Sequence, residues 1–386
     1  MLETANRDHP TAPTALAATP DPRLAIRPEL LTLAEYHPVA TPAQVAVELG
    51  LAPEAILKLD ANENPYGAPP GVAAALAALD PSRYPDADAG ELRAALAAYT
   101  GQPVASIVCG NGSDELLELL CRLFITPGDT VITAEPTFGM YAIAGRQHGG
   151  RVVDVPRDAA TFSVDTAGVI QAATDPSVRL IFLCAPNNPT GTALPEADLR
   201  AILDAAPCPV VLDEAYAEFA GSGALHLLAA YPHLIILRTL SKLGGLAGLR
   251  LGYALAAPPI VRALWRMKAP YNVNAAAQVA GVAALRDWPW IAERLARIQA
   301  GRDLLATGLR AVPGLHVYPS AANFLLVRVI AGQAAADALY AGLRAQGILI
   351  RRYSSGSLGG CLRISVGTEA QNARVLQEVQ QLCPIH

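Results

Sequence analysis

The sequence predicts an α/β protein: a mainly parallel central sheet with helices on both faces, followed by a smaller α+β domain. Three observations carry this. Between residues 104 and 237, short apolar runs alternate with stretches of helical character, the pattern of strands joined by crossover helices. Three of those runs, Leu180 to Leu183, Val210 to Leu212 and Leu234 to Leu237, lead straight into polar segments, as strands do at a ligand cleft. From residue 287 the pattern changes to one long amphipathic stretch, two pairs of strands and two further helices.

Composition bounds the function. A chain of 386 residues has room for two or three domains, or for one large and one smaller. Hydrophobic residues make up 52% and charged residues 16%, so the protein is rich in core. No run approaches the roughly 18 uncharged apolar residues that a bilayer span needs, and no membrane partner is expected. A net charge of −5 gives no basic field for nucleic acid. Six scattered cysteines without a C-x-x-C read as reduced thiols, mostly in the core. Cys208, flanked by prolines, is a candidate for exposure. Seven dispersed histidines show no ligand spacing, so no metal site is expected. The first residues lack a basic start followed by an apolar core, which points to a cytoplasmic protein.

In order, residues 1–23 are polar and proline-rich and are expected to form a flexible extension. Residues 24–58 form an N-terminal segment expected to pack with the small domain, and include a short helix over 42–50 ended by Gly50. A large domain is expected over 59–285 and a small one over 286–386. Leu57 to Asp60 reads as a strand running into the Asn62-Glu63-Asn64-Pro65-Tyr66-Gly67 turn. Helices are expected over 71–79 and 91–100, with Arg83-Tyr84-Pro85-Asp86 between them. Val104 to Cys109 reads as a strand. Gly110-Asn111-Gly112-Ser113-Asp114-Glu115 then opens a helix through Leu123, whose free N–H groups make an anion site. Ser113 and Asp114 fit a helix cap equally well. Strands at 130–134 and 152–155 flank Glu135-Pro136-Thr137-Phe138. A helix is expected over 258–268 and another after Ala269-Pro270-Tyr271-Asn272. The amphipathic stretch 287–310 reads as a connector between domains. Strands over 317–327, 347–353 and 361–367 and helices over 334–346 and 369–383 complete the chain.

Chemistry concentrates around Thr239-Leu240-Ser241-Lys242-Leu243-Gly244-Gly245, a glycine-rich loop after a buried strand. The chain has only three lysines: Lys58, Lys242 and Lys268. Lys58 lies in a mixed run, and Lys268 reads as a solvated helix end. Lys242 is the best placed for Schiff-base chemistry with a carbonyl, given a lowered pKa. Ahead of it, Ala185-Pro186-Asn187-Asn188-Pro189 supplies an amide, and Asp213-Glu214-Ala215-Tyr216 a carboxylate and a phenol. Arg250, eight positions after Lys242, adds a guanidinium.

These four motifs, in this order and spacing, resemble fold-type I enzymes that use pyridoxal 5′-phosphate, specifically the class I/II aminotransferases. The resemblance covers roughly residues 30–380. The N-E-N-P-Y-G, R-Y-P-D and A-P-Y segments resemble the histidinol-phosphate aminotransferases in particular. One departure is Leu243-Gly244-Gly245, where Ala-Phe-Gly is more usual.

The resemblance implies a set of roles. Lys242 holds the cofactor aldehyde and moves the substrate proton. Asp213 keeps the pyridine nitrogen protonated, and Asn188 and Tyr216 hold the ring oxygen. Arg250, Ser241 and the Gly112-Ser113-Asp114 helix start hold the phosphate, while Phe138 covers the ring face. Tyr84 reaches the cofactor phosphate of a neighbouring subunit, which implies a homodimer. Arg363 takes the carboxylate of glutamate. Arg351, with Tyr36, serves the substrate phosphate, the loop of Asn64 lies at the active site with Asn64 as a substrate contact, and strand alternation puts Arg352 on the opposite face. The implied reactants are a small-molecule amino donor, histidinol phosphate, and a 2-oxo acid acceptor, 2-oxoglutarate. An aromatic-amino-acid aminotransferase and a threonine-phosphate decarboxylase share the cofactor residues and stand as alternatives. A binding domain without turnover is disfavoured by the joint presence of Lys242, Asp213, Asn188 and Arg250.

Overall fold

The computed structural model describes residue 30 and residues 40–383. Tyr36, the 1–23 extension and most of 24–39 therefore lie outside the described residues. In chain order the strands are β1 (Leu57–Lys58), β2 (Ile107–Asn111), β3 (Thr130–Thr133), β4 (Arg151–Asp154), β5 (Val178–Cys184), β6 (Val210–Asp213) and β7 (Leu234–Thr239). They continue with β8 (Leu251–Leu255), β9 (Leu315–Val317), β10 (Phe324–Val329), β11 (Ile348–Leu349), β12 (Arg351–Tyr353) and β13 (Cys361–Ser365).

Seven strands form the central sheet in the order β2-β8-β7-β6-β5-β3-β4. β4, β3, β5, β6 and β7 are mutually parallel, while β8 runs antiparallel to both β7 and β2. β8 thus opposes all the others. Every residue of β6 and β7 is buried, as is all of β5 except Arg179. This is why these strands read as unbroken apolar runs: a parallel sheet is covered on both faces. Successive side chains divide between those faces. Val211 and Ile235 pack with Leu116 and Leu120 of the helix Gly112–Phe124. Val210, Leu212 and Ile236 pack with Leu199 and Ile202 of the helix Glu196–Ala205 on the other side.

The second sheet, β12-β13-β10-β9, is antiparallel. Its core joins Leu325, Val327, Leu362 and Ile364 to Leu305 and Leu309 of the long helix Trp288–Arg310 and to Leu339, Leu343, Val375 and Val379. β1 pairs in parallel with β11, and Leu59 O accepts the amide of Ser365, so the segment before residue 60 is tied to the C-terminal part. Local chemistry fixes the helix ends. Thr41 and Thr368 each form a reciprocal capping box with a glutamine, and Gly50 ends the first helix in the left-handed region at φ 65°.

Several expectations need correction. Residues 104–106 form a short 3-10 turn, and the strand starts at Ile107 and runs to Asn111. Pro103 fixes the entry to that turn, and Ser106 is bonded back to it. Cys208 is 6% exposed and sits in the core behind β6. Lys268 is no solvated helix end: its Nζ donates to Ala87 O and Asn272 Oδ1 and lies over the Trp265 ring. Among the described residues, no helix is long and apolar enough to cross a membrane, and no cluster of metal-ligating side chains occurs.

Candidate active site

The C-terminal ends of β5, β6 and β7 deliver Asn188, Asp213 and Lys242 to one edge of the sheet, the position the fold offers for ligands. Asp213 closes β6 and is 4% exposed. Its Oδ2 accepts the hydroxyl of Tyr141 at 2.7 Å and its Oδ1 the amide of Ala215 at 3.0 Å. Among the described residues no cationic side chain pairs with it. Burial pushes its carboxyl up to about 6, against the opposing pull of those two hydrogen bonds. A buried carboxylate held by two donors and lacking a counter-ion fits a cationic ring nitrogen. Tyr141 is itself fully buried, stacked on Phe182 and edge-on to Phe138.

Lys242 is half-buried, and its Nζ donates to Ala61 O at 3.0 Å. Loss of water around the ammonium, with the charge of Arg363 nearby, lowers its pKa to about 8, although Glu63 acts in the opposite sense. The amine is therefore a far better nucleophile at neutral pH than an ordinary lysine. The 61–64 turn wraps this loop: Asn64 Nδ2 donates to Leu243 O, and Asn64 Oδ1 accepts from Tyr66 N. Both polar atoms of the Asn64 side chain thus hold the turn and the lysine loop together.

The anion cradle is built by close backbone approach. Gly112 has φ 79°, and a Cβ there would lie 2.6 Å from the Arg250 guanidinium. A Cβ on Gly252 would overlap the amide nitrogen of Ser113. Both glycines are required for the helix start, with its unpaired N–H groups, to reach β8 and Arg250. Arg250 pairs with Asp114 at 2.8 Å. Ser241 N donates to the Thr239 hydroxyl, and the two hydroxyls lie 2.9 Å apart.

Opposite, Arg363 is 7% exposed and sits over the Phe324 ring. Its Nη1 donates to Asn188 Oδ1 at 2.6 Å and its Nη2 to Asp60 O, while its Nε is buried with no partner among the described residues. Among the described residues it has no carboxylate within ion-pair distance. Arg363 fixes the Asn188 amide by its oxygen and leaves Nδ2 as the donor. Arg351 lies directly across from Arg363 in the β12–β13 register. Arg352 points to the other side, where it pairs with Asp337 and covers Tyr340. Tyr216 is buried beneath Lys242, whose Nζ lies 5.9 Å from its ring centre, and its hydroxyl accepts from Asn62. Phe138 is half-buried in the loop between β3 and the helix Met140–Gln147. Tyr84 is 82% exposed and stacks on Tyr271, apart from the other site residues.

Sequence reasoning passed over Tyr141, Asn62 and Gly252. Tyr141 looks like a core aromatic, and Gly252 like any strand glycine. Asn62 stood inside the N-E-N-P turn with no distinguishing mark. A separate cavity of about 150 Å3 beside Pro186, Leu199, Leu212 and Glu214 contains none of these residues.

An amine of lowered pKa, a two-glycine anion cradle, and a buried carboxylate and a buried guanidinium that lack counter-ions among the described residues fit a phosphorylated pyridine aldehyde and a carboxylate substrate. The family described as aminotransferase class I and II matches residues 54–379. The chain is 47% identical over 364 residues to a histidinol-phosphate aminotransferase of Roseiflexus castenholzii, covering 92% of this chain and 98% of that one. It is 42% identical over 344 residues to the chloroplastic histidinol-phosphate aminotransferase of Nicotiana plumbaginifolia, covering 89% and 83%. The crystal structure of the Sinorhizobium meliloti histidinol-phosphate aminotransferase in complex with pyridoxal 5′-phosphate superposes with a TM-score of 0.83 at 30% identity, over 92% of this chain and 96% of that one. With these residues in these places, the chain belongs to the class I and II aminotransferases, in the histidinol-phosphate aminotransferase group, and pyridoxal 5′-phosphate is its cofactor.

Proposed function

We propose that the chain transfers the amino group of L-histidinol phosphate to 2-oxoglutarate, giving imidazole-acetol phosphate and L-glutamate, a reaction of histidine biosynthesis. The observation that carries the substrate is the Arg351–Arg363 pair. Residues directly opposite on neighbouring strands share a sheet face, so both arginines lie on the face that an anionic substrate would meet. Arg363 takes the carboxylate of glutamate, and Arg351, with Tyr36, takes the phosphate of histidinol phosphate. The relatives named for this activity support the same choice.

When bound, the cofactor supplies an electron-withdrawing ring that stabilises negative charge at the carbon bearing the amine. The chain's residues do the rest. Asp213 holds the proton on the pyridine nitrogen. Asn188 and Tyr216 donate to the ring oxygen, and Phe138 covers the ring and excludes water. Arg250, Ser241, Gly112, Ser113 and Asp114 hold the phosphate end. Lys242, with its pKa near 8, takes the substrate proton and returns it.

The active unit in this proposal is a cytoplasmic homodimer. Tyr84 and Tyr271 form an exposed aromatic pair suited to a second copy, and Tyr84 serves the partner's cofactor phosphate. Residues 59–285 form the cofactor domain and 286–386 the domain that carries both substrate arginines. The test is to mix holoenzyme with histidinol phosphate alone. Loss of the visible band, with one equivalent of imidazole-acetol phosphate per site, is expected. Band loss only with phenylalanine would make it an aromatic aminotransferase. Carbon dioxide released from O-phosphothreonine would make it a decarboxylase.

A further inference from the structure

Asn62 is 1% exposed and has a left-handed backbone, φ 55°, which asparagine tolerates better than most residues. All of its polar groups are engaged, and its partners come from distant parts of the chain. Its amide N–H donates to Ser365 Oγ at 2.9 Å, and its carbonyl accepts from Asn323 Nδ2 at 3.0 Å. Ser365 Oγ in turn donates to Asn62 Oδ1 at 2.9 Å. That bond fixes the side-chain amide. Ser365 spends its single proton on Oδ1, so Nδ2 must face the other way, and it donates to the Tyr216 hydroxyl at 3.0 Å. Among the described residues, this is the hydroxyl's one hydrogen bond, and Tyr216 is the acceptor in it.

We propose that Asn62 is a positioning residue that sets the direction of the Tyr216 hydrogen bond. By occupying a lone pair of the phenol with a donor, it commits the phenolic proton to the cofactor's ring oxygen. The inference rests on the cofactor role proposed for Tyr216. It also explains why strands of the second sheet reach this site: Ser365 ends β13, two residues after Arg363, and Asn323 directly precedes β10. The setting of the substrate arginine strand and the polarity of Tyr216 therefore depend on one buried amide.

Asn62→Asp tests this with an isosteric change. It retains an acceptor for Ser365 but presents a carboxylate oxygen to Tyr216, whose hydroxyl then donates to that carboxylate and abandons the ring oxygen. Asn62→Gly suits the left-handed backbone and removes the amide without reversing the bond. The readout is the pH midpoint of the visible absorption band of the loaded enzyme, with cofactor content measured alongside. Tyr216→Phe provides the reference for a lost donor. A donor withdrawn from a charged ring oxygen is expected to raise that midpoint by about 1–2 pH units. Asn62→Asp should match Tyr216→Phe, and Asn62→Gly should move it less. Ser365→Ala, which leaves Asn62 in place but frees its amide to turn, should shift the midpoint the same way by a smaller amount. If Tyr216→Phe raises the midpoint while Asn62→Asp and Ser365→Ala leave it at the parent value, the inference about Asn62 fails alone. An effect of Asn62→Gly as large as that of Asn62→Asp would also overturn it, since position and not direction would then matter. No shift in Tyr216→Phe overturns both this inference and the role proposed for Tyr216.

Discussion

Replacing Asp213 by asparagine should stabilise the cofactor-free protein and weaken the loaded one. The carboxyl is moved from its ordinary 3.8 to about 6 by burial. At 1.36 kcal/mol per pH unit, keeping it ionised at neutral pH costs about 3 kcal/mol. The sign follows from proton binding. Between 3.8 and 6 the folded protein holds a proton that the unfolded chain has released, so stability falls as pH rises through that window and is lowest above it. Asparagine carries no charge to bury. Its oxygen still accepts from Ala215 N, and the bond to Tyr141 can reverse. At about 2.1 cal/mol/K per residue, a gain of that size raises the melting temperature of the cofactor-free protein by roughly 4 °C at about pH 7.5. At about pH 5 the gain should be about half as large. With cofactor the order reverses, because the carboxylate loses its penalty to the cationic ring nitrogen, and binding in the variant should weaken at least about tenfold, equivalent to about 1.4 kcal/mol. Calorimetry of both forms with and without cofactor reads all of this. A cofactor-free variant less stable than the parent near neutral pH, or cofactor affinity unchanged by the substitution, would refute the reasoning.

Three further outcomes are expected. Lys242→Ala should bind the cofactor through the phosphate contacts yet show no turnover; borohydride should add the cofactor's mass to the parent protein and none to the variant, as read by mass spectrometry. With only three lysines in the sequence, reductive methylation with labelled formaldehyde should give three side-chain signals. In cofactor-free protein the Lys242 signal should titrate near 8, since its lowered pKa leaves the amine neutral above that pH, whereas the Lys58 signal, held by Asp60 and Glu63, should titrate above its ordinary value. A Lys242 midpoint at or above the ordinary lysine value would count against the desolvated setting. Gly252→Ala should cost about 1–3 kcal/mol of stability, because the backbone of Ser113 cannot yield as a side-chain end does. It should also weaken cofactor binding; melting curves indistinguishable from the parent's, with and without cofactor, would show that the cradle is looser than its geometry implies.

Lys242, Asp213 and Asn188 were legible because each follows a strand buried on both faces, and such strands stand out as apolar runs. β8 was not, because Leu251-Gly252-Tyr253-Ala254-Leu255 follows the lysine loop so closely that nothing local separates it from that loop. Contacts made across the chain left still less trace. Asn62 meets Ser365 over a separation of 303 residues and Tyr216 over 154. Lys268 looked solvated because the carbonyl that receives it belongs to Ala87, 181 residues away. Tyr141 lies in the helix Met140–Gln147, which the sequence reading did not assign, and its hydroxyl acquires meaning once the fold carries it to Asp213. Arg351 and Arg363 were singled out only through the family resemblance; the register that sets one against the other depends on the β12–β13 pairing.

The reversed direction of β8 has a consequence for what the site can measure. A parallel strand after β7 would need a long crossover and would begin at the far edge of the sheet. Because β8 turns back at once, the segment between Lys242 and Arg250 starts and finishes at the same edge. On the roles proposed for Lys242 and Arg250, one short loop spans both ends of the cofactor and acts as a ruler of fixed length. Analogues with a longer arm between ring and phosphate should be refused, whatever their affinity for either end alone. On the roles proposed for Arg351 and Arg363, substrate length is gauged elsewhere, on a different sheet, so the tolerance for new substrates and the tolerance for new cofactors can change independently.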